Sequence, residues 1–410
     1  MLYKEFLINL YKYLLNTEDY DNNIIRKHTR NLEKVGEFSF SSEKLSFCRN
    51  KEIEYSYSSE TEIGELIVKQ SKKWPLQVSK YAIINNSVHI YVDRILCYKG
   101  VIKQTLDEKQ NYGSHRIDFA RNINVLTDIE ESNLNELSLS QLRMLLLKEV
   151  VLRLIEFNFC NNKAQNNTFI RLASNFNKTS NETYIVCGPV LSTKNGHKCD
   201  ISAAEYYRKR TIDMRLMAEH KYGLRITSQV GWQEFFEKLG QAAVTIDLLQ
   251  NKTNRGVTIN LNDPTTANSK GASFILYNCA RLATLFKEFD KRVSDNVYPA
   301  LPSFENIDLS LLNQPEEWEI LFLYVLQFPY IVNNCIKEIM EGRLYIHNLC
   351  NILCGMCSAF SVYYRRIRIL TEPREHLFAV LHARIYLLKS VEQVLHNGLH
   401  LLNIQPVKQM

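Results

Sequence analysis

The sequence predicts an α+β protein: a mixed α/β amino-terminal half followed by an all-α helical bundle. Short runs of β-branched and aromatic residues bounded by turn formers sit in the first half. From Ile201 onward, apolar residues recur at helical spacing almost without interruption. Punctuation is also sparse, since 14 Gly and 9 Pro in 410 residues favour long helices over a turn-rich all-β fold.

Residues 1–16 place Leu2, Phe6, Leu10, Tyr13 and Leu14 on one side of a helix. Residues 17–60 are polar, with several Ser, Asn and Glu, and read as an irregular connection. The run from Tyr81 to Tyr98 reads as two strands about Asn85–Asn86, residues that suit a tight hairpin turn. Arg116 to Leu126 holds one more strand, and the charged, Asn-rich stretch Asp128 to Glu136 marks a boundary. Leu139 to Phe157 is an amphipathic helix carrying Leu142, Leu145, Leu146, Glu149, Val150 and Leu154 near helical spacing. Asn161 to Asn181 reads as a loop and Thr183 to Leu191 as a short strand ending in Gly188–Pro189. Helices follow over 201–222, 231–250, 271–294, 315–340, 343–369 and 374–402, with one extended segment, Val257 to Leu261, among them. No internal repeat is visible. The shifts in pattern predict a mixed module at 1–137, a connecting region at 138–229 and a helical domain at 230–410.

Hydrophobic residues are 45% and charged residues 23%, which excludes wholesale disorder and fibrous repeats. A formal charge of +6 permits a polyanionic partner without requiring one. The 10 cysteines, among them Cys97, Cys160, Cys279 and Cys335 in apolar segments, lack the spacing of a secreted disulfide framework. The apolar amino terminus is interrupted by Lys4, Glu5 and Lys12, and no small-residue cleavage site follows. The longest apolar run, Trp318 to Val332, contains Glu319, Gln327 and Pro329 and falls short of the ~20 apolar residues that span a bilayer. A soluble, cytoplasmic protein is the expectation.

Catalytic signatures are missing. No GxxxxGK[ST] loop, no GxGxxG after a strand, no HExxH and no GxSxG occurs. His347, Cys350, Cys354 and Cys357 lie at i, i+3, i+7 and i+10, a stripe along ~15 Å of helix axis. Ligands strung out that way do not converge on a tetrahedral ion, so they read as small residues on a packing face. Cys187, His197 and Cys199 flank a Gly-containing loop without a paired-cysteine knuckle. His396 and His400 share a helix face with no third ligand nearby in sequence, and read as a solvated pair. Neither a metal nor a cofactor is expected.

The last third is more informative. Leu349, Ile352, Leu353, Met356, Phe360, Tyr363 and Ile367 form one apolar helix face. Leu377, Leu381, Ile385, Leu388, Val391, Leu395 and Leu402 form a second, and together they describe two antiparallel helices of a bundle. The first of these helices ends in Tyr363, Tyr364, Arg365, Arg366 and Arg368, ahead of a turn at Thr371–Glu372–Pro373. Residues 341–410 carry eight Lys/Arg against four Glu, and five of the ten histidines. Arginines interleaved with tyrosines suit single-stranded RNA loops, because guanidinium groups hold phosphates while aromatic rings stack on splayed bases. The composition alone describes a solvated charged helix end equally well.

This segment resembles the DALR anticodon-binding bundle of arginyl-tRNA synthetases. The resemblance rests on Ala359 to Arg366, on Ala383 to Met410, and on Gly271 to Phe286 with Tyr277, Ala280 and Arg281 in register. It covers 230–410 and departs from the pattern in places: Phe360-Ser361-Val362-Tyr363-Tyr364 stands for Phe-Asn-x-Phe-Tyr, and Asn403 replaces a glycine. Upstream, the class I ligase signatures are not matched. His89-Ile90-Tyr91-Val92 lacks the glycine and second histidine of His-x-Gly-His. Ser192 to Gly196 and Asn268 to Gly271 are poor Lys-Met-Ser-Lys loops. Without those donors the transition state of ATP-dependent activation goes unstabilised, which argues against aminoacylation.

The sequence is similar in particular to a synthetase-derived eukaryotic family without ligase activity, through Gly271 to Phe286 and Ser361 to Phe378. That resemblance implies a noncatalytic adaptor that binds arginine tRNA by its anticodon arm. It implies a partner too, a tRNA 3-methylcytidine methyltransferase directed to a cytidine of the anticodon loop, and it makes 138–229 a degenerate synthetase-like connection. On this reading Arg365, Arg366 and Arg368 neutralise phosphates, Arg281 and Arg374 add contacts, and Tyr363 or Tyr364 stacks on a base. Tyr363 also fits the packing face, which favours Tyr364. A divergent arginyl-tRNA ligase and a helical scaffold without RNA binding are the competing readings.

Overall fold

The computed structural model describes residues 2–18, 24–48, 59–115, 117–118, 121–129, 133–160, 166–176, 182–193, 196–222, 232–261 and 271–408. Its helices are α1 (Leu2–Leu15), α2 (Leu32–Val35), α3 (Ser42–Cys48), α4 (Glu60–Ser71), α5 (Arg94–Glu108), α6 (Leu139–Asn158), α7 (Ala203–Tyr222), α8 (Trp232–Leu249), α9 (Ala272–Ser294), α10 (Pro315–Ile320), α11 (Phe328–Ile336), α12 (Ile346–Arg366) and α13 (Glu375–Leu401). The strands are β1 (Arg26–Lys27), β2 (Phe38–Ser41), β3 (Val78–Ile84), β4 (Ser87–Val92), β5 (Ile117–Asp118), β6 (Arg121–Thr127), β7 (Phe159–Cys160), β8 (Asn166–Ala173), β9 (Thr183–Val186), β10 (Val190–Ser192) and β11 (Val257–Ile259). They fold as two units. The first comprises Met1–Lys109, Arg292–Tyr330 and Val362–Val391; the second comprises Gln110–Lys291, Ile331–Ser361 and Glu392–Met410.

The first unit holds an antiparallel sheet in the order β1-β2-β4-β3. The expected hairpin is present. Asn85 and Asn86 take φ of 49° and 56°, the left-handed pair that a two-residue turn between twisted strands requires. The second strand stops earlier than expected, because Asp93 caps α5 by accepting the Leu96 N–H at 3.0 Å, so Tyr98 is helical. The segment expected to be irregular contains α2, β2 and α3; in β2 Phe38, Ser39 and Phe40 are all buried, a run too short to read from sequence. Gly36 passes under β4 at φ 69°, where a Cβ would meet the Ile90 carbonyl oxygen at 2.4 Å. Helix α1 buries Tyr3, Phe6, Leu7, Leu10, Tyr11, Leu14 and Leu15, so its buried face is wider than expected and excludes Tyr13. Phe6 meets Phe38 and Trp74, and Phe38 meets Phe322 edge-on at 5.9 Å, which ties the sheet to the segment following α10.

The second unit contains a parallel sheet in the order β6-β8-β9 and two parallel pairs, β5–β7 and β10–β11. Strand β8 corrects the expectation of a loop over 161–181: its Asn-rich start hides an apolar core in which Ile170 and Leu172 are fully buried. Helices α6, α7 and α8 enclose a core built from Leu142, Val190, Ala203, Tyr206, Val244 and Leu248. Arg143, which sequence spacing leaves unremarked, is fully buried there and donates to four carbonyls, those of Gly188, Leu248, Lys252 and Arg255, at 2.7–3.0 Å.

The helices expected from 201 onward are present within a few residues of their expected bounds, except that the one expected over 315–340 is divided into α10, a π-helical stretch at Leu321–Val325 and α11. Along α12, Leu349, Ile352, Leu353, Met356 and Phe360 are buried, and along α13 Leu381, Ile385, Leu388, Val391 and Leu395. Gly398 lets the two approach, since a Cβ there would stand 2.6 Å from the Leu353 side chain. The segment Pro315–Glu341 is long and apolar enough to cross a membrane by length and composition, beyond the expectation from sequence, but 67% of that window is buried inside the protein. Trp318, Leu321, Phe322 and Val325 of that segment are buried.

Candidate nucleic-acid interface

The basic cluster falls in the first unit, at the end of α12 and across the turn into α13. Helix α12 stops at Arg366, and the chain crosses to Glu375 through Thr371–Glu372–Pro373. That crossing is anchored from below. The Tyr298 hydroxyl donates to the Thr371 carbonyl at 2.5 Å, and the Tyr298 ring meets Phe378 edge-on at 5.9 Å. Tyr386 on α13 donates to the Pro302 carbonyl at 2.6 Å. A turn pinned on both sides presents its exposed side chains in one register, as phosphate recognition requires.

The exposed side chains are arginines. Arg365 is exposed, and Arg368 and Arg374 share one carboxylate, Glu372, at 3.6 and 2.9 Å. Arg366 pairs with Glu316 while most of its side chain stays in solvent. The two pairs on Glu372 are exposed on both sides, so they are weak and yield readily to a phosphate, whereas Arg366 holds a buried carboxylate. Tyr364 presents its ring at the surface beside Val362.

Tyr363 does not belong to this face, which corrects one sequence expectation. It is fully buried, and its hydroxyl donates to Glu317 at 2.9 Å. Burial and the Glu317 carboxylate push its phenol well above the ordinary range. Arg384, which sequence reasoning missed, donates through Nε to the same Glu317 oxygen at 2.8 Å. Its signal was legible: at i+3 from Leu381 and i−4 from Leu388, Arg384 sits on the apolar seam of α13, and a cation on a buried seam implies an acid opposite.

Arg281 is placed in the other unit, where it donates to the Tyr277 hydroxyl at 2.9 Å and to Ser361 at 3.4 Å, its guanidinium 4.6 Å from the centre of the Tyr277 ring. There it links α9 to α12 as a half-buried group. Cys350 and Cys357 are buried on the packing face of α12, and burial pushes both thiols up. Burial likewise pushes Cys187 up to about 12, the behaviour of an inert packed thiol. Among the described residues, no three His, Cys, Asp or Glu side chains converge as a metal would need.

Residues 275–410 match the DALR anticodon binding domain family model, a stretch that includes α12, α13 and the arginine turn between them. The similarity to that family thus lies in the carboxyl-terminal third of the chain. The chain is 31% identical over 241 residues to DALR anticodon-binding domain-containing protein 3 of Danio rerio, covering 57% of this chain and 42% of that protein. It is 32% identical to the protein of the same name from Mus musculus, over 56% of this chain and 43% of that one. The matched stretch thus spans less than half the length of either relative. In fold, the chain superposes on the arginyl-tRNA synthetase of Plasmodium falciparum with a TM-score of 0.63 at 11% identity, covering 100% of this chain and 98% of that one. The chain thus shares its fold with arginyl-tRNA synthetases, and its residues 275–410 are similar to the DALR anticodon binding domain.

Proposed function

We propose that the chain is a noncatalytic tRNA-binding adaptor that recognises arginine tRNAs through the anticodon arm and brings a tRNA 3-methylcytidine methyltransferase to the anticodon loop. The observation that carries this reading is the row Arg365, Arg366, Arg368 and Arg374 on an anchored turn inside the DALR domain, with Tyr364 exposed beside it. Guanidinium groups hold phosphates of the arm, Tyr364 stacks on a loop base, and the buried helix seams keep these groups in register. The resemblance to a family without ligase activity and the unmatched class I signatures support an adaptor rather than an enzyme.

Two assays test the reading. The purified chain should retard arginine tRNAs in moderate salt more strongly than other tRNAs, and should raise 3-methylcytidine formation when added to the methyltransferase and arginine tRNA. Equal retardation of all tRNAs, or unchanged methylation, contradicts it. With arginine, ATP and tRNA the chain should show no ATP–pyrophosphate exchange; exchange above background selects the divergent ligase instead.

A further inference from the structure

A cavity of about 400 Å³ lies within the first unit, lined by Arg30, Arg94, Glu316, Trp318, Glu319 and Arg366 among others. That volume is enough for a small ligand. One wall is fixed. The Trp318 indole N–H donates to buried Glu37 at 2.8 Å, and Arg94 lies 5.1 Å from the ring centre and 3.5 Å from Glu37. Opposite charges line the rest. Glu316 is 6% exposed; Oε1 accepts from Arg366, while Oε2 is buried and has no hydrogen-bond partner among the described residues. A buried carboxylate oxygen without a donor is costly, so a lining residue in that state points to an N–H group supplied from outside. Burial and the neighbouring Glu316 push the Glu319 carboxyl up, against the counter-effect of Arg30, so a donor between the two acids is doubly favoured. Arg30 and Arg366 offer an anion its place in the same cavity.

A ligand with an amino donor at one end and an anion at the other meets both demands. We propose that the cavity is a single-nucleotide site for an amino-bearing base, whose exocyclic amine donates to Glu316 Oε2 while its phosphate lies on Arg30 and Arg366. Cytosine, adenine and guanine carry such a donor; uracil has no exocyclic amine, and its single N3–H is flanked by two carbonyl oxygens that the carboxylate repels, so it is disfavoured. The nucleotide has two possible sources, a free mononucleotide or a base extruded from bound RNA, and only the second rests on the tRNA reading above.

The test uses the full chain, calorimetric titration with CMP, UMP and ribose 5-phosphate, and tRNA retardation in parallel. CMP should bind ~10-fold or more tightly than UMP, the ratio expected of one charge-assisted hydrogen bond. E316Q should abolish that ratio, and R30A should weaken both nucleotides alike. If E316Q does not fold, E319Q should reduce the same ratio. Where no mononucleotide binds, a loss of arginine-tRNA affinity in E316Q assigns the site to an extruded base. Equal binding of CMP and UMP overturns the proposal, as does the absence of mononucleotide binding together with unchanged tRNA affinity in E316Q. A CMP preference in a chain that retards no tRNA leaves the site standing and removes the tRNA reading.

Discussion

Glu317 has no solvent exposure, yet it accepts from the Tyr363 hydroxyl, from Arg384 Nε and, through its other oxygen, from the Gln314 backbone N–H at 3.0 Å. The same acid therefore caps α10 and fixes the last turn of α12 and the start of α13. Removing it strands a nearly buried guanidinium, so Glu317→Ala should cost about 3–5 kcal/mol in denaturant unfolding. Tyr363→Phe removes one of its donors and should cost about 1 kcal/mol, with tRNA affinity unchanged. Tyr364→Ala should do the reverse, leaving stability nearly intact and weakening RNA binding by about 1–3 kcal/mol, measured by filter binding. His382 makes a third case. Burial holds its imidazole below the ordinary 6.5, and its Nε2 is buried with no partner among the described residues. Because the unfolded chain binds that proton first, the stability His382 contributes is present above pH 6.5 and is lost as pH falls from there toward its depressed native value. Relative to His382→Gln, the wild type should lose melting temperature between pH 7.5 and 5.5; a difference independent of pH contradicts the assignment.

At the scale of elements, periodicity was the legible signal. Helices of the last 200 residues carry seams such as Leu381, Ile385 and Leu388, and the Asn85–Asn86 pair carries its hairpin, because each encodes its geometry within a few residues. Strands β2 and β8 were not legible. Their burial is created by neighbours distant in sequence: Phe38 faces Phe322, and Ile170 lies between flanking parallel strands. Arg143 was hidden for the same reason, since nothing beside it announces four carbonyls drawn from 188–255. Arg143→Met leaves those acceptors buried without a donor and should lower stability by at least about 3 kcal/mol. Of the expected interface residues, Arg365, Arg366, Arg368, Arg374 and Tyr364 are exposed at the end of α12 and the turn that follows, as the polar sequence there suggests. Tyr363 is buried instead, because a phenol on a partly apolar helix face serves packing as well as recognition.

At the scale of the whole molecule, the first unit is assembled from three separated stretches of chain. Trp318 bonds Glu37 across 281 residues, and Lys27 donates to Gln327 across 300. That unit's core therefore includes residues far upstream of 275–410, such as Phe38 and Tyr98 against Phe322 and Trp318. A fragment restricted to 275–410 should keep helical far-ultraviolet dichroism and lose the near-ultraviolet signal and sharp melting of the full chain.

If, as proposed, the arginine turn between α12 and α13 holds tRNA phosphates, binding releases counterions there and weakens as salt rises. The most direct measurement is the salt dependence of arginine-tRNA affinity for the wild type and for Arg365→Ala, Arg366→Ala, Arg368→Ala and Arg374→Ala combined. Each phosphate contact contributes about 0.7–0.9 to the slope of log affinity against log salt. The combined variant should therefore bind far more weakly and lose about 3 from that slope. An unchanged affinity and slope would contradict the account.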